Sequence, residues 1–332
     1  MVFFENTVCL SCGTHLGFDA DVRELVPPDP TRQRPCANVS VAACNWLIGA
    51  DDPHDLCLSC RLTRTRPPDG DPSTSAAFAT AEAAKRRLVF QLLELHLPIV
   101  SFEDDPARGA AFDLLSSALG PVTTGHEDGV ITLDVSESDD AHREWVRHWL
   151  VEPYRTVLGH FRHEIGHYYW PVLVEQTGNI EQFRALFGDE RIDYSQALDQ
   201  HYANGAPDNW AESYVSAYAT MHPWEDWAET FAHVLHILDA LQTAVSFDLR
   251  VVGEPAAREP LHESFDRVVD AWLPLSYALN AVNRSMGKDD LYPFVLAPVV
   301  IEKLAFVHGL VRDANAPINS ANAPISSLPV EA

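Results

Sequence analysis

The stretch His163-Glu164-Ile165-Gly166-His167 constrains this chain more than any other. On a helix, residues four apart lie on one face, so both imidazoles can reach one ion. Glu164 sits beside them, able to take a proton from water. Zinc with an open fourth position lowers the pKa of such a water to about 7. A site of this kind needs a third protein ligand, so the fold must bring a second element against the His-Glu-x-x-His helix.

The flanking sequence suits that role. Residues 141–175 read as helix, with Trp145, Trp149, Val157, Leu158, Phe161, Ile165 and Tyr168 along one broad face. Pro153 either kinks this helix or begins a second one. Ahead of it, Ile131, Leu133 and Val135 alternate with Thr132 and Asp134, as in a short half-buried strand. In zinc peptidases such a strand often lines the cleft and holds an extended substrate through main-chain hydrogen bonds.

No His-x-x-Gly-x-x-His continuation follows His167, which excludes a three-histidine site. A later segment, Pro223-Trp224-Glu225-Asp226-Trp227-Ala228-Glu229-Thr230-Phe231, offers two glutamates four apart on one helix face. His160 shares the face of His163 and His167 and would be a ligand only in a different register. His233 and His236 are expected in the core or at an interface. Arg155 and Arg162 are expected to anchor carboxylates inside the domain.

All six cysteines fall between Cys9 and Cys60. Two pairs are Cys-x-x-Cys, and the N-terminus lacks the basic and apolar regions of a signal peptide, so a metal explains them better than disulfides. Cys9, Cys12, Cys57 and Cys60 are the expected tetrahedral set, with 44 residues between the pairs. Cys36 and Cys44 are left over. They are free buried thiols, a replacement for one ligand, or part of a second site with His15 or His54. A segment this short has little core, so a metal staple makes physical sense.

Length and composition bound the rest. At roughly 150 residues per domain, 332 residues correspond to about two domains. The net charge is −25, yet residues 1–66 carry six basic and eight acidic side chains, so the acidity lies in the later part. That balance argues against a nucleic-acid partner. The most apolar run, 294–301, contains Pro298 and is far too short to span a membrane. A cytoplasmic location is expected.

Residues 66–75 are rich in Pro, Gly and Ser and read as a linker. Further helices are expected after the Ala-rich 76–84, through Leu88, Leu92 and Leu95, and over 208–220, 223–245, 263–282 and 293–311. The repeated Ala-Asn-Ala-Pro-Ile near the C-terminus reads as a disordered tail. The expected organisation is α+β: a metal-stapled β module (1–66), a linker (67–76), a mainly helical domain with a small sheet (77–312) and a tail (313–332).

The arrangement Glu-x-x-Ala-Glu-x-Phe at 225–231 resembles the ligand helix of glutamate-type zincins, in which the first Glu binds zinc. That resemblance implies Glu225 as third ligand, with Glu229 as runner-up and the other of the two orienting a histidine. Tyr218 lies seven residues earlier. In the resembling helices a tyrosine there donates a hydrogen bond to the developing oxyanion. Tyr214 and His222 compete for that role.

Longer strings sharpen the resemblance. They are Phe4-Glu5-Asn6-Thr7-Val8-Cys9-Leu10-Ser11-Cys12-Gly13, Cys44-Asn45-Trp46-Leu47, Leu56-Cys57-Leu58-Ser59-Cys60-Arg61, Gly159-His160-Phe161-Arg162-His163-Glu164-Ile165-Gly166-His167-Tyr168-Tyr169-Trp170 and His222-Pro223-Trp224-Glu225. Over about residues 3–310 the chain resembles a bacterial family of zinc-binding metallopeptidases with an N-terminal zinc ribbon. The resemblance implies a zincin-like catalytic domain, one catalytic and one structural zinc, and peptide or protein substrates. The competing expectation is a non-catalytic zinc scaffold whose ribbon docks a protein or nucleic acid.

Overall fold

The computed structural model describes residues 2–138 and 156–314. Among these, two small antiparallel hairpins open the chain. Strands β1 (Gly17–Asp19) and β2 (Glu24–Val26) form one, and β3 (Gln33–Pro35) and β4 (Leu47–Gly49) the other. The one-turn helix α1 (Leu58–Arg61) follows, then strand β5 (Thr63–Thr65).

β5 crosses out of the ribbon. It pairs in parallel with β6 (Ala111–Leu115), which pairs in parallel with β8 (Val130–Asp134), and β7 (Gly125–Glu127) closes the edge antiparallel to β8. The alternation read at 131–135 thus belongs to an inner strand, with Ile131 and Leu133 fully buried.

Helix α2 (Pro72–Glu94) begins with a full set of start signals. Asp71 accepts the Thr74 N–H at 2.8 Å, Pro72 occupies the first turn, and an Ala-rich run follows. The His-Glu-x-x-His helix is α3 (Val157–Trp170), capped by Thr156 and continued by a wider turn at Pro171–Glu175. Its expected start near 141, with Trp145, Trp149 and Pro153, lies outside the described residues, as does Arg155.

Two short helices that the periodicity did not announce follow: α4 (Ile180–Phe187) and α5 (Tyr194–Asn204). Then come α6 (Pro223–Ser246), α7 (Phe265–Ser285) and α8 (Pro298–Ala314). The expected helix over 208–220 is not formed; only the 3-10 turns Trp210–Glu212 and Tyr218–Thr220 appear. One tertiary and one local partner take its polar groups instead. Lys303 Nζ donates to the Ser213 carbonyl at 2.8 Å, and Ser216 Oγ accepts the Ala219 N–H. The expected tail lies beyond the described residues, apart from Asp313 and Ala314, which close α8.

The architecture is α+β, a small ribbon of hairpins ahead of a mainly helical part with one small sheet. No helix of the described residues is long and apolar enough to cross a membrane.

α3 crosses closely on α6, and Gly166 makes that possible. A Cβ there would stand 3.1 Å from Ala228 Cα and 3.3 Å from Phe231 Cβ. Trp227 Nε1 donates to the Gly166 carbonyl at 2.8 Å across the same contact. Gln91 of α2 ties the three helices together. Its Nε2 donates to the Leu235 carbonyl, and its Oε1 accepts from Arg162 Nε, while Arg162 Nη2 reaches Asp239 at 2.5 Å. Arg162 does therefore anchor a carboxylate within the domain.

Candidate functional site

The ribbon gathers four thiols, and they are not the expected four. Cys36, Cys44, Cys57 and Cys60 are buried with their sulfurs within 4.8 Å of one another. Cys57 and Cys60 were expected there, but Cys9 and Cys12 are not part of the group. The hairpin explains the exchange. Cys36 directly follows β3, and Cys44 stands shortly before β4; the Cys36 N–H bonds to the Trp46 carbonyl at 3.0 Å, so both sulfurs sit at one end of the pair. α1 then presents Cys57 and Cys60, and the Cys57 N–H donates to Cys36 Sγ at 3.3 Å.

The Cys44–Cys57 sulfur separation is 3.7 Å. The edge of a tetrahedron with Zn–S bonds of about 2.3 Å is about 3.8 Å, so the donor set fits zinc. Cys9 and Cys12 instead occupy a separate turn. There the Gly13 N–H bonds to the Cys9 carbonyl, Gly13 takes a positive φ of 71°, and Cys12 is exposed with its sulfur 3.1 Å from Thr14 Oγ1.

The second group is built on α3 and α6. His163, His167 and Glu225 bring their ligand atoms within 4.8 Å of one another. The separations are 3.3 Å between the two Nε2 atoms, 3.0 Å from His163 Nε2 to Glu225 Oε2, and 3.4 Å from His167 Nε2 to Glu225 Oε1. Metal–ligand bonds of about 2.0 Å in a tetrahedron give edges of about 3.3 Å. Glu225 is 2% exposed, and its Oε2 accepts no hydrogen bond. Lone pairs on two nitrogens and a carboxylate converge in a buried space, so a proton or a metal cation must sit among them. Two imidazoles and a carboxylate suit zinc.

Glu229 meets the same histidine from the other side. Its Oε1 accepts from His163 Nδ1 at 2.7 Å, which leaves Nε2 free to face Glu225. Burial opposes the Glu229 charge, but the hydrogen bond from His163 holds its pKa below the ordinary carboxylate value. The helix start favours the Glu225 charge too. His222 caps α6 by accepting the Trp224 N–H on Nδ1, Pro223 follows, and Glu225 lies in the first turn.

Glu164 is 5% exposed, and its Oε1 lies 3.1 Å from His160 Nε2. Burial would raise its pKa, but the His160 hydrogen bond and the neighbouring imidazoles hold it low. Tyr218 places its ring 6.0 Å from the His163 ring, and burial together with the Glu225 charge pushes its pKa well up, so the phenol keeps its proton.

The two rivals of Tyr218 are engaged elsewhere. His222 has Nδ1 in the cap and Nε2 3.2 Å from the Ile192 carbonyl. Tyr214 carries Lys303 Nζ over its ring at 4.3 Å. His233 is buried, with Nδ1 2.8 Å from the Tyr292 hydroxyl, and the His236 ring lies edge-on to Trp272 and tilted against Tyr292.

Three contributors carry no clear sequence signal. Tyr194 of α5 donates to Glu225 Oε1 at 2.9 Å from 31 residues away. His126 of β7 stacks on His167, with centroids 5.9 Å apart and planes at 16°. Glu137, in the turn after β8, reaches His160 Nδ1 at 2.8 Å. Only His160 was visible beforehand, one turn from Glu164 on the same face.

Comparison with known proteins agrees with both groups. A model of a zinc-ribbon domain matches residues 1–71. Uncharacterized proteins of Mycobacterium bovis and Mycobacterium tuberculosis are 55% identical over 313 residues, which is 93% of this chain and 92% of theirs. No solved structure matches. The family model over residues 74–310, which takes in α3 and α6 with all three ligand candidates, assigns the chain to the family described as "Putative zinc-binding metallo-peptidase".

Proposed function

We propose that the chain is a zinc-dependent peptidase that hydrolyses peptide bonds, with Glu164 as general base. The supporting observation is the convergence of His163, His167 and Glu225, with the buried Glu164 next to His163 in the chain. His163, His167 and Glu225 would hold the ion. Bound there, zinc supplies the Lewis acidity that brings the pKa of a water to about 7 and polarises a carbonyl.

The chain's own residues do the rest. Glu164 takes a proton from the attacking water and passes it to the departing amine nitrogen, so it ends the cycle as it began. Tyr218, kept protonated, donates a hydrogen bond to the oxygen that gains charge. Tyr194 and Glu229 fix the orientation of Glu225 and His163. A second zinc, on Cys36, Cys44, Cys57 and Cys60, staples the ribbon, and the division between the two roles falls near residues 67–71, since the later part of the expected linker is already helix α2. Four buried thiols placed to hold a metal rather than paired as disulfides favour a cytoplasmic setting.

The test is hydrolysis of casein by the full chain, followed by complete zinc removal and stoichiometric zinc return. Activity is expected to vanish and reappear with the metal. Cleavage that persists with no zinc in the protein overturns the proposal.

A further inference from the structure

His160 stands between two carboxylates. Its Nδ1 is 2.8 Å from Glu137 Oε2 and its Nε2 is 3.1 Å from Glu164 Oε1. All three side chains are nearly buried, at 14%, 9% and 6% exposed. An ionised carboxylate can only accept, so each ring nitrogen must donate. A neutral imidazole has one N–H and would leave a lone pair facing an oxygen lone pair at one of the two contacts.

Three elements hold this arrangement. Glu137 lies in the 3-10 turn Val135–Ser138 that leaves β8, and its Oε1 accepts from Thr124 Oγ1 at 3.0 Å. Thr124 Oγ1 lies 3.4 Å from the Asp134 amide nitrogen, so the turn and the preceding loop share one network. His160 and Glu164 are one turn apart on α3, a spacing that keeps them in contact whenever the helix is formed.

We propose that Glu137 and His160 form a charged bridge, with His160 as the positioning residue for Glu164. This rests on Glu164 being the base of the peptidase reaction. His160 occupies Oε1 and keeps both of its own protons throughout. The proton from water therefore goes to Oε2 and leaves from Oε2 to the amine. A base with one oxygen tied down has one orientation and one productive atom, which is what a proton carrier between two positions needs. In support, the Glu137 charge and the hydrogen bonds to both carboxylates outweigh burial and hold the His160 pKa up at about 9.

The experiment uses the full-length, zinc-loaded protein with 15N-labelled histidine. At pH 8 one imidazole is expected to show two protonated ring nitrogens, and that pattern is expected to disappear in His160→Gln. In Glu137→Gln the His160 signal is expected to become that of a neutral ring. A neutral His160 at pH 8 in the wild type overturns the bridge.

The kinetic arm uses casein. His160→Gln is expected to lower kcat by about 10–100-fold while KM and zinc content stay within about twofold. Unchanged kcat overturns the positioning role, as does a loss explained by lost zinc. Glu137→Gln repeats the test if His160→Gln does not fold. A wild-type protein that cleaves nothing would remove the peptidase reading and the positioning role with it, while the resonance pattern would still decide the bridge.

Discussion

Glu229 Oε1 lies 2.7 Å from His163 Nδ1, on the side of the ring opposite Glu225. Two carboxylates four residues apart on α6 thus address the two nitrogens of one histidine. Their roles differ for that reason: Glu225 shares the ligand cluster, whereas Glu229 fixes the ring and its tautomer.

Glu229→Gln should therefore weaken zinc without abolishing its binding. Loss of such an orienting partner costs about 10–100-fold in metal affinity. Competition with a coloured chelator measures it. Affinity equal to wild type would show that Glu229 does not support His163.

Gly166→Ala should strain the crossing of α3 and α6. The added methyl would stand 3.1–3.3 Å from Ala228 and Phe231, of which the former is backbone. Overpacking of this kind costs about 1–3 kcal/mol. Because the crossing also sets the distance from the histidines to Glu225, zinc affinity should fall with stability. Urea unfolding with and without zinc reports both, and an alanine variant as stable as wild type would place the tight contact elsewhere.

The ribbon's metal should depend on Cys36 and Cys44 rather than on Cys9 and Cys12. Cys36→Ser or Cys44→Ser should remove one zinc per chain, while Cys9→Ser and Cys12→Ser should leave the zinc count unchanged. Native mass spectrometry gives the count directly. A loss of zinc on replacing Cys9 would restore the pairing that spacing alone suggests.

That exchange marks where the sequence stopped being legible. Two Cys-x-x-Cys pairs look equivalent in a string, and only the pairing of β3 with β4 decides which sulfurs meet Cys57 and Cys60. The shared face of the two imidazoles, and that of Glu225 and Glu229, were legible because both depend on local four-residue spacing; the choice of Glu225 came only from the resemblance. Tyr194, His126 and Glu137 were not, since each arrives from a distant element. The region 208–220 misled for a related reason: its composition suits a helix, but Lys303 and Ser216 give its backbone other partners.

Stability should fall in mild acid through His233. Burial holds this imidazole neutral and pushes its pKa down to about 4, against an ordinary 6.5. Below pH 6.5 the unfolded chain binds a proton that the folded chain refuses. The contribution is complete above that pH and is lost as pH falls through 4, in total about 3 kcal/mol. His233→Gln should flatten the fall in urea midpoint between pH 6.5 and 4.5. A slope identical to wild type would exclude His233 as its source.

In the proposed reaction Glu164 acts on a proton and does not hold the metal. Glu164→Gln keeps size and shape but cannot take that proton at neutral pH. Zinc per chain and casein cleavage, measured on the same preparation, test this most directly. The Gln variant should keep its zinc content while its hydrolysis drops to background. A Gln variant that retains its zinc and still cleaves at the wild-type rate would contradict it.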